Sequence, residues 1–339
     1  MPPQAASADA ATLTGALTGA VTAASWLRPA REQLRAAVHQ DRVPHALLIH
    51  DSPGAGGAQL AGWTAQLLLC VAPGSERPCR ICAACLSVAQ DRHPDFWRIG
   101  LVEDSKQVKV EQARELSAQL ALASHQGGYK VALIDPADAM NWNAANALLK
   151  TLEEPPGRTV VILVAQQPSR LPATIHSRCQ RLRIRAPERA PALQWLQQFV
   201  GEGPWDAVLD VIGNAPLLAA GLDPRAVLQI RDETLAGLAD LAARRADAAQ
   251  LADAWSRGEL ALRLSCFENW LTERIRHALG AGTYSMEMRD GTHPGHPDPG
   301  SNAPRLFALL DQLRALRAAL ATPVNRALAL ESLLRSLVV

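Results

Sequence analysis

Residues 130–156, KVALIDPADAMNWNAANALLKTLEEPP, decide how the rest of the chain is read. Val131-Ala132-Leu133-Ile134 is a short unbroken apolar run, the pattern of a strand covered on both faces in a parallel sheet. Asp135 ends it, and Asp138 follows three residues later. From Asn143 to Glu154 the apolar residues take helical spacing, with Ala144, Leu148 and Leu152 one turn apart. Pro155 and Pro156 stop that helix, because proline lacks an N–H and clashes with the preceding turn.

Toward the N-terminus, Trp26–Gln40 reads as an amphipathic helix around Leu27, Leu34 and Val38, and His45–His50 as a first buried strand. The loop DSPGAGGA, residues 51–58, joins that strand to a helix over Gln59–Leu69. Strand, glycine-rich loop and helix make the context in which backbone N–H groups and a helix N-terminus cradle phosphate. Set against G-x-x-x-x-G-K-[ST], Asp51 stands at the first glycine and Gly56 at the second. Gly54 lies between them, Gly57 stands where the lysine belongs, and Ala58 replaces the hydroxyl that holds Mg²⁺. Asp135 takes the place of the strand-end carboxylate that holds Mg²⁺ beside the phosphates. The expectation is a phosphate-loop fold without nucleotide chemistry. A fold that never was a phosphate loop is the open alternative.

The densest local motif follows: Cys70, Cys79, Cys82 and Cys85, in CVAPGSERPCRICAAC. Thiolates at such spacings close a tetrahedral Zn²⁺ site, and Arg77 and Arg80 favour the thiolate forms. A redox Cys-x-x-Cys pair, or inert thiols, is the competing reading. Cys179 and Cys266 stand apart and read as small buried residues. His93, in HPDFW, reads as a loop histidine, since four cysteines already complete a metal's shell.

Further strands are expected at Thr159–Ala165 and Gln180–Ile184, and helices at Val108–Ala121 and Leu171–Cys179. Strands alternating with helices over residues 45–185 predict an α/β fold, a doubly wound parallel sheet. Beyond Pro187 strands vanish. Helices are expected within 187–227, then near 228–243, 258–279, 304–320 and 325–338. Residues 280–303 are low in complexity and expected to be a flexible insertion.

Composition narrows the class. The chain has 339 residues, 48% hydrophobic and 20% charged, with a net charge of +1, as expected of a multidomain soluble protein. That charge neither favours nor opposes a nucleic-acid partner. No run of about 18 apolar residues exists, so no membrane span is expected. Residues 1–24 lack a basic start and an apolar centre and read as a disordered tail, not a signal peptide. The expected location is the cytoplasm, where clustered thiols more often bind metal than pair.

The run LLKTLEEPP, the four-cysteine insertion after the loop helix, and the triplet Ser177-Arg178-Cys179 together resemble the clamp-loader branch of the AAA+ ATPases. The resemblance spans roughly residues 25–339. It implies an AAA+ domain at 25–186 with a structural zinc module at 70–85. A small helical lid at 187–227 and a helical oligomerisation domain at 228–339 would follow. GNAPLLAAG at 213–221 matches the family's second domain, and Thr322–Arg326 its turn before the last helix. It also implies that Arg178 reaches across a subunit interface to a neighbour's γ-phosphate. Guanidinium suits that task, being always charged, with a fixed fork of donors. Pro136 stands where the family has its water-orienting glutamate, and no role passes to Gln166 or Gln167 at the γ-phosphate-sensing position.

The function so implied is a non-hydrolysing subunit of the DNA polymerase III clamp loader. It would bind no ATP, carry structural Zn²⁺ and help place the sliding clamp on primed DNA. Its partners would be the gamma/tau and delta subunits, with the clamp and primer–template DNA met through the complex. The chain would belong to a DNA-directed DNA polymerase, a nucleotidyltransferase, without itself polymerising DNA. Two alternatives remain at this point: an active motor like gamma or tau, and a zinc-dependent nucleic-acid-binding module. Arg178 also has a bland reading, as one of a solvated group with Arg181, Arg183, Arg185 and Arg189.

Overall fold

The computed structural model describes residues 23–74, 76–102, 105–279, 303–320 and 325–338. Residues 1–22 of the expected tail, 280–302 of the expected insertion and 322–324 of the turn lie outside those residues, and Ala303 opens a helix. The described chain forms two compact units. One holds the chain up to Gly201 together with Asn214–Gly221, and the other holds Glu202–Gly213 and the chain from Leu222 onward.

In the first unit the order is α1 (Arg28–His39), β1 (Ala46–Asp51), α2 (Gly57–Leu69), α3 (Ala83–Ala89) and β2 (Phe96–Ile99). It continues with α4 (Val110–Ala121), β3 (Lys130–Ile134), α5 (Trp142–Glu153), β4 (Thr159–Ala165), α6 (Ala173–His176), β5 (Gln180–Ile184) and α7 (Arg189–Phe199). The next helix, α8 (Trp205–Ile212), belongs to the second unit, and α9 (Pro216–Ala219) to the first. The sheet runs β2-β3-β4-β1-β5 and every pairing is parallel, as the AAA+ clamp-loader fold requires. Its register sets Leu48 against Leu163 and Ala132 against Val161. One face of this sheet carries Ala46, Leu48, Ala132, Ile134, Val161 and Leu163, and packs on Leu116 and Leu120 of α4 and Leu148 and Leu152 of α5. Each such leucine contributes roughly 1.5–3 kcal/mol by leaving water.

Helix α5 shows why the quoted stretch governs the fold. The Asn141 side chain caps its start by accepting from the Ala144 N–H at 2.8 Å. Ala144, Leu148, Thr151 and Leu152 are buried on one face, and the helix ends at Glu153 before the two prolines. Lys130, at the head of β3, is buried, and its Nζ donates to the carbonyls of Leu120 and Leu122 at the end of α4. A lysine there satisfies helix carbonyls that would otherwise lack donors.

The second unit contains α8, α10 (Pro224–Ala242), α11 (Ala248–Ser256), α12 (Leu260–Ala278), α13 (Ala303–Ala319) and α14 (Arg326–Val338). Helix α8 falls within the expected helical stretch 187–227, four others match the helices expected beyond it, and α11 is not among those expected. It spans only nine residues, and Asp247 caps it by accepting from the Gln250 N–H at 3.2 Å. Leu238, Trp255, Phe267, Leu313 and Leu330 share one core, with Trp255 edge-on to Phe267.

Candidate functional site

Three places carry the residues of interest. The first is the glycine loop between β1 and α2. Gly54 and Gly56 take φ of 67° and 105°, values that favour glycine. Helix α2 begins at Gly57, so the N–H groups of Gly57 and Ala58 point outward from its positive end. The side chain of Asp51, only 6% exposed, lies against them. A Cβ on Gly57 would sit 2.5 Å from the Asp51 Cγ. Burial pushes the Asp51 pKa up to about 7, with Asp135 adding to the rise and the Gly57 and Ala58 N–H groups opposing it. Its Oδ1 has no full hydrogen bond among the described residues.

From the outer side the loop is covered. Leu217 donates its N–H to the Gly54 carbonyl at 3.2 Å. A Cβ on Gly54 would meet the Ala215 Cβ at 2.6 Å, and one on Gly56 the Leu27 Cδ1 at 3.0 Å. Asp135 lies beyond the end of β3, and burial is the chief cause of its raised pKa. Pro136 follows it, and Asp138 accepts from the Gln167 N–H at 2.7 Å. That bond ties the region after β4 to the Asp135 loop through backbone, not through the Gln167 side chain.

The second place is the thiol cluster. The Sγ atoms of Cys70, Cys79, Cys82 and Cys85 all lie within 4.8 Å of one another. The Cys70–Cys82 and Cys79–Cys85 separations are both 4.0 Å. Four sulfurs at Zn–S bonds of about 2.3 Å stand about 3.8 Å apart, so the set fits a tetrahedral zinc. Backbone N–H groups of Cys79, Cys82 and Cys85 reach the sulfurs of Cys70, Cys79 and Cys82 at 3.3–3.4 Å. At Cys82 burial resists ionisation, but such N–H groups outweigh it and bring the pKa down to about 6. Burial raises that of Cys85. The module is tied to its own unit by Gln66, which donates to the Cys85 carbonyl at 3.0 Å, and by Arg35, which donates to that of Arg77 at 3.0 Å. His93 is buried outside the cluster, its Nδ1 accepting from the Asp95 N–H.

The third place is the turn between α6 and β5. Cys179 is buried, with its pKa raised to about 11 by burial, so it serves the core. Ser177 is exposed and donates to the Thr174 carbonyl at 3.1 Å. Arg178 lies at the surface, donating through Nη1 to the Thr174 carbonyl at 2.9 Å and to the Ser177 Oγ at 3.1 Å. Its Nη2 pairs with the carboxylate of Glu153, the last residue of α5. Arg181, Arg183 and Arg185 stand exposed on and just after β5, while Leu182 and Ile184 between them are buried. The two sets alternate as a strand with one covered face requires.

A protein-family model described as "DNA polymerase III, delta subunit" matches residues 27–188. A DNA polymerase III subunit delta' from Pseudomonas aeruginosa is 36% identical over 249 residues, covering 73% of this chain and 76% of that one. The chain belongs to the DNA polymerase III delta' family. The delta' of Yersinia pestis is 32% identical over 78% of this chain and 79% of its own. A tau subunit from Escherichia coli is 33% identical over 48% of this chain, but only 25% of its own. Among the described residues no helix is long and apolar enough to cross a membrane.

For a member of the delta' family, two features of these sites were missed by sequence reasoning. In the sequence Glu153 shows only as part of the helix end before Pro155. Its signal is a carboxylate at the negative end of a helix, where a cation is favoured. Leu217 and Ala215 carry only a domain pattern in the sequence, and nothing local in GNAPLLAAG tells that they close over the glycine loop.

Proposed function

We propose that this chain is a clamp-loader subunit of DNA replication that neither binds nor hydrolyses nucleotide and that lends Arg178 to a neighbouring ATPase site. The observation that carries the reading is the filled loop. Gly57 offers no charge to a β- or γ-phosphate, Ala58 no hydroxyl to Mg²⁺, and Asp51 occupies the ground between strand and helix. The motor alternative needs each of these groups. Membership of the delta' family supports partners among the other subunits of DNA polymerase III, here the gamma/tau and delta subunits, with clamp and DNA reached through the assembly. Cys70, Cys79, Cys82 and Cys85 would hold a Zn²⁺ whose part is structural, since four protein thiolates leave no open coordination position.

The test has two arms. Labelled ATP and ADP are titrated into the isolated chain, and no binding is expected in the micromolar range. The chain is then mixed with the other clamp-loader subunits, and one complex containing it is expected on gel filtration. Micromolar nucleotide binding would return the motor reading, and failure to join the complex would remove the clamp-loader role.

A further inference from the structure

We infer that Glu153 is a latch for Arg178: it holds the guanidinium against its own subunit and releases it in exchange for a phosphate presented by the neighbour. This rests on the proposed trans role of Arg178.

The contact geometry of Arg178 leads to it. Nη1 is spent on the Thr174 carbonyl and Ser177 Oγ, and Nη2 on the Glu153 carboxylate. Nε is buried without a partner among the described residues. Three of its five N–H donors are engaged and that of Nε is enclosed, so an incoming oxyanion meets the guanidinium at Nη2, where the Glu153 carboxylate already offsets its charge. The contacts on Nη1 are local, within four residues, and travel with the turn. The Glu153 contact comes from another helix, 25 residues away, and is the one whose acceptor resembles a phosphate oxygen.

Glu153 stands where a neighbouring cation is favoured. It is the last residue of α5, where the helix presents its negative end, and exposed Glu154 adds a second carboxylate. Its side chain is 48% exposed and that of Arg178 31%, so the pair is open to competition from solvent and from an incoming anion. An ion pair this exposed is weak, which suits a contact that must be exchanged. A γ-phosphate carries more charge than a carboxylate and would displace it, whereas a site holding a shorter phosphate chain leaves the latch shut. The latch thereby ties engagement of the finger to the neighbour's triphosphate.

The test uses the reconstituted complex and its DNA-stimulated ATPase as a function of ATP concentration. Glu153→Gln keeps size and hydrogen bonding but removes the charge. It is expected to lower the ATP concentration for half-maximal rate about two- to fivefold, the range an exposed pair supports, with little change in maximal rate. Glu153→Ala should act in the same direction. In an Arg178→Ala background Glu153→Gln should move nothing. Melting curves of each isolated variant establish that the chain is folded, and a purely structural Glu153 would shift those curves and not the half-saturation. An unchanged half-saturation, or an equal shift without Arg178, overturns the latch. If Arg178→Ala alone leaves the ATPase untouched, the finger reading itself falls and the latch with it.

Discussion

Asp51 and Gly57 pack as one unit: a Cβ added to Gly57 would lie 2.5 Å from both the Cβ and the Cγ of Asp51. The lost lysine and the intruding aspartate are therefore a single physical change, since the carboxyl fills the ground that any side chain at 57 would cross. Gly57→Lys is expected to destabilise the chain by about 1–3 kcal/mol, the usual cost of overpacking, and to restore no nucleotide binding. Adding Asp51→Gly should recover most of that loss. Urea unfolding of the two single variants and the double one measures the coupling. Additive losses would show that the two residues do not compete for space.

The same carboxyl predicts a pH dependence. Asp51 titrates near 7 in the folded chain against 3.8 when unperturbed. The folded state therefore binds the proton more tightly, and this group's contribution favours folding at low pH. That contribution fades as pH rises from about 4 through 7, by on the order of 4 kcal/mol at most. Asp51→Asn imitates the protonated form. It should melt close to wild type only near pH 4, gain on it progressively up to about pH 7, and hold that margin to pH 8. Parallel melting curves across that window would show that the carboxyl is not buried as described.

One structural Zn²⁺ per chain is expected on the four thiols, removable by chelators at neutral pH. Structural zinc supplies about 10–16 kcal/mol to peptides that have no other core. Here the parallel sheet has its own core, so chelation should loosen residues 70–85 and leave the rest folded. Cys85→Ser should release the metal. Cys266→Ser, at a buried thiol among the helices of the other unit, should retain it. Metal analysis of the reduced, purified protein decides between the two.

How far the sequence foretold this molecule depends on how local the cause is. The strand at Val131–Ile134 and the helix through Leu148 announce themselves, because an apolar run and a 3.6-residue period are statements about burial. The four cysteines are equally legible, since spacing alone places their sulfurs around one point. Helix α11 escaped because nine alanine-rich residues offer too short a period to recognise. The covering of Gly54 by Ala215 escaped for another reason: it joins residues 161 positions apart, and only the fold brings them together. Pairing of Arg178 with Glu153 lies between these cases. The helix-end carboxylate was visible, but the cation it awaits comes from another element.

The last prediction separates Arg178 from the arginines that follow it. Arg178→Ala should leave the chain folded and able to join the complex, because a surface arginine contributes little to the core. It should lower the ATPase rate of the assembled loader by removing positive charge from one neighbour's γ-phosphate. At a single dependent site such a loss reaches about 10³–10⁵-fold, and the whole complex falls less where other sites keep their own fingers. Arg178→Lys should rescue poorly, since an ammonium cannot reproduce the planar fork that now bonds Thr174, Ser177 and Glu153 together. Arg183 is exposed on β5, pairing through backbone register with His50. Its replacement by alanine should change the rate little. Both variants are compared at fixed salt, so that loss of general positive charge affects them alike. Equal rates near wild type would return Arg178 to the solvated group around Arg181 and Arg185, and the trans role would be lost.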